Sequence, residues 1–374
     1  MANKAIKYRL YPTKEQEEWF QKTFGCCRKI YNLMLSDKIA YYKETGKKLQ
    51  TTPAQYKTDY PYLKEVDSLA LANVQLHLQT AYQNFFQNKN IGFPTFKSAK
   101  RSRKSYTTNN QKGSISLQKN GVKLPKIGIV KAKIHREPES NWKLKSATIS
   151  QERDGTYYVS VLFSYEKEMV LVSKDSTNAI GLDYKSDGLY MDSHGTRAKM
   201  SKYYRKQQKK LAKEQRKLAR RIGSKKGESK SSNYKRQQQK IAKMHRHIAN
   251  QRQDYLHKKS TEIANQYDVV CVESLHMRAM SNRGFGNGKA TLDNGYGYFL
   301  EMLEYKLADR GKYFVKVDQW YPSSQLCSGC GKRKQLGLEE RVYECSCGLK
   351  MDRDYNAAIN ILREGQRILR EEME

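Results

Sequence analysis

The chain has 374 residues, enough for two or three domains with at least one sizeable hydrophobic core. Its 71 Lys and Arg stand against 38 Asp and Glu, a formal net charge of +33, and such a field holds polyanions by releasing their counterions. No run of 18 apolar residues occurs, which argues against a membrane span, and Met1 to Lys4 lead into a polar alternating segment with no apolar signal core.

Binding to an acidic lipid surface would need an amphipathic helix with a greasy face, and none stands out. Of the seven cysteines, Cys327, Cys330, Cys345 and Cys347 crowd one window, while Cys26, Cys27 and Cys271 lie far away. An odd count without a secretion signal speaks against a disulfide framework and for a reducing, cytoplasmic setting.

Residues 4–11 alternate and predict a strand that Pro12 ends. Thr13 and Gln16 have capping-box spacing, so a helix through Trp19, Phe20 and Phe24 should follow. Residues 13–90 read as mostly helical, with apolar stripes at packing distance (Leu69, Leu71, Val74, Leu76). From Ile91 to Phe96 the chain is a turn-rich apolar knot. Lys97, Lys100, Arg101, Arg103 and Lys104 follow, with Tyr106 beside them. Cations interleaved with aromatics suit phosphate contact plus base stacking, against the alternative of a solvated loop.

Residues 113–167 read as β, with Asp154-Gly155 as a hairpin signal, and with the first strand they predict a small barrel interrupted by the helical insert. A linker follows, and a new unit begins at Ala179. Residues 201–260 carry 21 Lys and Arg against three acids. Sparse heptad-like apolar positions (Leu211, Leu218, Ile241, Met244, Ile248, Tyr255) predict two long antiparallel helices joined by a turn over Gly223–Ser232. Lys209, Lys210, Arg216, Arg220 and Arg221 are its candidate nucleic-acid contacts. His245 and His247 lack metal spacing and read as phosphate neighbours or bystanders.

Three acids stand at ends of predicted elements. Asp183 closes the buried run Ala179-Ile180-Gly181-Leu182, and Glu273 closes Val269-Val270-Cys271-Val272. Asp354 opens a helix through Ile359, Ile361 and Leu362. Phosphodiester hydrolysis by two divalent ions needs carboxylates converging from separate elements to hold the ions roughly 3.5–4 Å apart. Mg²⁺ or Mn²⁺ takes such hard oxygen ligands. Asp187, Asp192 and Asp352 compete for these roles, but Asp187 falls in a turn and Asp352 suits a helix cap or a pair with Arg353. Cys327-x-x-Cys330 and Cys345-x-Cys347, 14 residues apart, offer four thiolates to one structural Zn²⁺.

These segments together resemble the TnpB family, transposon-encoded relatives of compact type V CRISPR effectors. The resemblance rests on Gly181-Leu182-Asp183, Val272-Glu273-Ser274, Tyr321 to Gly331 and Asp352 to Ile361. The opening Tyr8-Arg9-Leu10-Tyr11-Pro12 and the Gly92 to Phe96 knot add to it. It implies a multidomain α+β protein. A wedge β-barrel would span 1–12 and 91–170, with a helical recognition insert at 13–90 and a linker at 171–178. An RNase H-like (RuvC) nuclease domain would span 179–322 and 349–374, with a zinc ribbon at 323–348. It further implies an omega-type guide RNA, cleavage of matching double-stranded DNA beside a short motif, and Asp183, Glu273 and Asp354 as catalytic acids on two Mg²⁺ or Mn²⁺ ions, with a monomer favoured. Two positions depart from the family: Lys185 stands where many members keep glycine, and the second knuckle is C-x-C rather than C-x-x-C.

Rival readings are an inactive RNA-guided repressor, which the intact acids oppose, and a DNA-joining transposase, which the ribbon before the third acid opposes. A ribosomal-style zinc-ribbon RNA binder would not need Asp183 or Glu273. A type V effector with array-derived guides stays open.

Overall fold

Alternation of exposed and buried residues along Ala2–Tyr11 (β1) turns Ile6, Tyr8 and Leu10 inward. The computed structural model describes residues 1–222, 230–282, 284, 288–337 and 339–371. It divides into two units, Met1–Lys167 and Glu168–Glu374.

In the first unit, Thr13 and Gln16 form the reciprocal capping box that starts α1 (Lys14–Thr45). Gly46 ends the helix in the left-handed region, φ 68°. Two 3₁₀ turns, Pro53–Lys57 and Pro61–Lys64, lead to α2 (Ser68–Gln87), capped by Asp67. Six strands follow: β2 (Lys104–Asn109), β3 (Ser116–Gln118), β4 (Gly121–Leu124), β5 (Gly128–Lys133), β6 (Lys143–Gln151) and β7 (Tyr157–Tyr165).

Their order is β2-β6-β7-β1-β5-β4-β3. The sheet therefore has two edges, β2 and β3, and is not the closed barrel expected from sequence. The helices pack on the face of the sheet: Phe20 of α1 sets its ring 6.4 Å from Tyr106 on β2 and 5.4 Å from Tyr157 on β7, and Phe24 lies 5.8 Å from Tyr106. The Asp67 carboxylate accepts a hydrogen bond from Thr108 of the same strand.

The second unit is built on β8 (Ala179–Tyr184), β9 (Tyr190–Asp192), β10 (Arg197–Ala198), β11 (Val269–Glu273) and β12 (Tyr313–Val317), in the order β10-β9-β8-β11-β12. Strands β8, β11 and β12 are parallel, and β9 and β10 antiparallel. Between β10 and β11 run α3 (Tyr203–Arg220) and α4 (Ser232–Gln266). Between β11 and β12 come α5 (Met277–Met280), α6 (Gly288–Asn294) and α7 (Tyr296–Ala308). A hairpin of β13 (Val342–Glu344) and β14 (Lys350–Asp352) leads into α8 (Arg353–Glu371). Strand β14 pairs antiparallel with β13, and the turn between them carries Cys345 and Cys347.

The continuous apolar runs of β8 and β11 follow from burial on both faces. Ile180, Leu182, Val270 and Val272 join Leu256 of α4 and Phe299 and Leu303 of α7. Ala179, Val269 and Cys271 join Ile361 and Leu369 of α8 on the other face. Helix α8 comes close because two glycines make room. A Cβ on Gly181 would run into the carbonyl of Ala358 and stand 2.8 Å from the Leu362 amide nitrogen, and one on Gly365 would strike Cys271.

Helices α3 and α4 pack as the expected antiparallel pair. Glu214, one of the three acids in the basic stretch, is buried there: Gln237 donates to its carboxylate at 2.7 Å and Lys240 lies 3.0 Å away. The expected turn at Gly223–Ser232 falls largely outside the described residues.

Candidate functional site

Residues Leu182 and Val272 are paired across the parallel β8–β11 ladder. Asp183 and Glu273 are the next residues of those strands, so two carboxylates leave neighbouring strand ends on the same side. Both are partly buried. Burial, then the Glu273 charge, pushes the Asp183 carboxyl up to about 8, with Lys185 and Arg353 opposing. Burial pushes Glu273 up to about 7.

Asp354 lies in the first turn of α8, one turn before the Ala358 that meets Gly181. One of its carboxylate oxygens is ion-paired with the Lys185 ammonium, and Arg353 approaches the other at 3.9 Å. The ligand oxygens of Asp183, Glu273 and Asp354 do not all come within 4.8 Å of one another; among the described residues only the four cysteines converge so closely. Lys185 connects two of these acids electrostatically: its ammonium pairs with Asp354 and its charge acts on Asp183.

The competing acids are committed elsewhere. Asp352 caps α8, its carboxylate accepting from the amides of Asp354 at 2.9 Å and Tyr355 at 3.2 Å. It pairs with Arg197 at 2.6 Å rather than with Arg353. Asp192 accepts from the amides of His194 and Thr196 in the β9–β10 turn, and Asp187 is exposed.

Sequence reasoning missed the contribution of Asp293, Asn294 and Tyr296. Asn294 donates to the carbonyls of Lys185 and Ser186, fixing the turn beyond Asp183. Asp293 accepts from the Tyr204 amide at 3.0 Å and the Arg205 side chain at 3.3 Å, tethering the start of α3. Tyr296 is fully buried, its ring 4.7 Å from that of Tyr184. The signal was the Asp293-Asn294-Gly295 run before an apolar helix, which reads as a cap in sequence and as a clamp only in space.

The cysteines meet as one group. Sγ of Cys327 is 3.6 Å from that of Cys347, and Cys330 from Cys345 likewise, with all four sulfurs within 4.8 Å. Tetrahedral zinc with Zn–S near ~2.3 Å requires sulfurs ~3.8 Å apart, and the disulfide length of ~2.05 Å is excluded. The C-x-C spacing is accommodated because Gly348 takes φ 90° and donates to the Cys345 carbonyl, closing a tight knuckle. The cluster can hold structural zinc. Asn356 and Asn360 of α8 tie it to the acidic site through Ser328, Ser323 and Leu326.

The expected nucleic-acid contacts divide. Tyr106 is only 7% exposed, wedged between α1 and the sheet, so it is not a base-stacking residue; its aromatic face was spent on Phe20 and Phe24. Lys97 lies 3.8 Å over the Tyr31 ring, and Lys104 donates to Gln21 at 2.7 Å. Lys100, Arg101 and Arg103 are exposed, as are Lys209, Lys210, Arg216 and Arg220. Arg221 is exposed but donates to Gln237 and to the Asn233 carbonyl. No helix among the described residues is long and apolar enough to cross a membrane.

Three family models match the chain: "Helix-turn-helix domain" over residues 1–47, "Probable transposase" over 162–284, and "Cas12f1-like, TNB domain" over 296–361. A Streptomyces pristinaespiralis protein with the inferred role of RNA-guided DNA endonuclease is 34% identical over 97% of this chain and 89% of its own length. InsQ of Escherichia coli K12, given the same inferred role, is 29% identical over 98% and 93%. Mimivirus proteins named TnpB-like match 32% of the chain at 33% identity. Among solved structures, the chain is similar to the protein of a Cas12f1-sgRNA-target DNA complex, with TM-score 0.60 at 15% identity over 93% of this chain and 83% of that one.

Proposed function

This chain belongs to the TnpB family, and from that premise we propose that it is an RNA-guided DNA endonuclease whose cutting site is the Asp183, Glu273 and Asp354 cluster. The first unit is the wedge with its helical recognition insert, and the second an RNase H-like nuclease domain of RuvC type with a zinc ribbon before its last helix. The order β10-β9-β8-β11-β12, three antiparallel strands followed by two parallel additions, supports that reading.

The observation that carries the proposal is the adjacency of Asp183 and Glu273 on paired parallel strands, under a helix whose first turn holds Asp354. The site crowds anionic groups that resist ionising, and a divalent cation relieves that cost. The donors are all oxygens, which fits Mg²⁺ or Mn²⁺. Bound there, two such ions would activate water and stabilise the leaving oxygen of a phosphodiester. The chain's residues do the rest. The two strand ends fix the spacing of two carboxylates, Asn294 holds the turn beyond Asp183, and α8 delivers Asp354 at a distance set by Gly181. The exposed cations of α3 hold phosphates, while base pairing with the guide selects sequence.

The test is to purify the protein from cells carrying its native downstream DNA and sequence the co-purifying RNA. The complex is then challenged with plasmids bearing a guide-matched site beside randomised flanks, with Mg²⁺. A discrete RNA, matched-site cleavage, and loss of cleavage in Asp183→Ala with DNA binding retained are expected. Binding without cutting in the wild type would favour a repressor, and no discrete RNA would favour a transposase.

A further inference from the structure

Helix α2 carries no charged side chain over its 20 residues. The outer face of a surface helix is ordinarily charged and polar, yet here Leu76 and Phe86 stand 52% and 67% exposed. At the C-terminal end of the helix four rings form a cluster. Phe93, from the turn-rich segment that follows, lies 5.5 Å from Tyr82 and 5.4 Å from Phe85, both edge to face, and Phe85 lies 5.2 Å from Phe86. Mutual packing accounts for Tyr82 and Phe85, which are half-buried. It leaves Phe86 open to solvent, with Phe93 44% exposed and Phe96, three residues on, 57% exposed. Contiguous exposed apolar surface rimmed by polar groups marks an interaction site.

The surrounding charge selects the partner. From Ser68 to Arg136 the chain holds 13 Lys and Arg and no Asp or Glu. The Lys48 ammonium sits 5.7 Å over the Phe86 ring, and the exposed Lys100 and Arg101 follow Phe96. Two copies of the chain meeting through this face would oppose like charges. Aromatic faces set among cations match single-stranded nucleic acid, whose bases stack on the rings while its phosphates meet the cations. We propose that the face carrying Phe86 and Phe93 is a stacking platform for unpaired bases of the bound RNA. It takes the role that the sequence pattern assigned to Tyr106, whose ring is used inside the fold. A resident RNA keeps an apolar face covered, and a DNA strand that is cut and released does not. The inference rests on the RNA-guided reading above.

The test uses the RNA-free full chain and a fluorescein-labelled oligouridylate, with binding followed by anisotropy and contacts mapped by ultraviolet crosslinking and mass spectrometry. Uridine adducts should fall on Phe86 or on the tryptic peptide 90–97 that holds Phe93. Phe86→Ala should weaken binding about tenfold, and Phe86→Trp should retain it, because any aromatic face stacks. The slope of log affinity against log salt should stay the same in both, since stacking releases no counterions. Tm should also stay the same, since the ring is exposed. Adducts confined to other peptides, or an affinity that Phe86→Ala leaves intact, overturn the proposal. A shallower salt slope overturns it too, by reporting lost phosphate contacts, and so does a lower Tm in both variants, by making the ring part of the fold. Crosslinking to oligothymidylate but not to oligouridylate overturns the choice of RNA. An RNA-free dimer that Phe86→Ala dissolves gives the face to a second copy instead. A wild type that binds neither oligonucleotide removes the RNA-guided reading, and this inference with it.

Discussion

The ammonium group of Lys185 is ion-paired with the Asp354 carboxylate in a shielded position, the two side chains being 11% and 15% exposed. Lys185 follows Asp183 by two residues, so the pair links the first and third acids of the site. A fixed cation here balances negative charge that a divalent ion would otherwise neutralise, and it competes with that ion for Asp354. Lys185→Ala should therefore destabilise the ion-free protein by about 1–3 kcal/mol, through the charge left unpaired. It should also tighten Mn²⁺ binding. Thermal unfolding and Mn²⁺ titration of the same protein check both, and weaker Mn²⁺ binding would show that Lys185 supports the ion rather than opposing it.

Stability should depend on pH in a direction set by the raised carboxyls. Asp183 and Glu273 move from ordinary values of 3.8 and 4.5 up to about 8 and about 7 in the fold. A carboxyl raised on folding holds its proton in the native state and releases it on unfolding. Its contribution is therefore full below about pH 4, declines as pH rises, and is gone above about pH 8. The zinc-loaded, Mg²⁺-free protein should lose Tm from pH 5 to 8 and level off beyond. Millimolar Mg²⁺ should flatten the decline, and Asp183→Asn should shrink it. A Mg²⁺-free Tm that rises over this range would contradict the burial of the pair.

Gly181 is the place where α8 touches the sheet. Gly181→Ala would drive a methyl into the carbonyl of Ala358 and the backbone of Leu362, and backbone cannot yield as a side-chain tip can. The cost should be about 1–3 kcal/mol or more. Because the helix must lift, Asp354 moves with it. Urea unfolding and cleavage assays should both fall, with RNA binding by the wild-type surface less affected. A neutral result would mean that α8 can slide along β8.

Zinc removal should act at a distance. Atomic spectroscopy should find one zinc per chain, and Cys330→Ser should lose it. Asn356 and Asn360 anchor α8 to Leu326, Ser323 and Ser328 beside the cysteines. Loss of the ion should release those anchors and lower cleavage at least tenfold without abolishing RNA binding. Full cleavage by zinc-free protein would detach the ribbon from the site.

Local pattern was enough for much of this molecule. Thr13 and Gln16 announced α1, the apolar runs 179–182 and 269–272 announced buried strands, and the cysteine spacing announced a single metal cluster, because each depends on neighbours in sequence. Charge alone pointed to a polyanionic partner. Tertiary structure decided what depends on residues far apart. It set α1 and α2 against β2 and left the sheet open, which buried Tyr106 and removed it from any stacking role. It gave Asp352 to a helix cap and Arg197, and Asp354 to Lys185. It also brought Tyr296, 112 positions beyond Tyr184 in the chain, against that ring, with no hydrogen-bond partner for its hydroxyl among the described residues. Periodicity and spacing report which face a residue shows; which group meets that face is settled only when strands pair and helices find room between them.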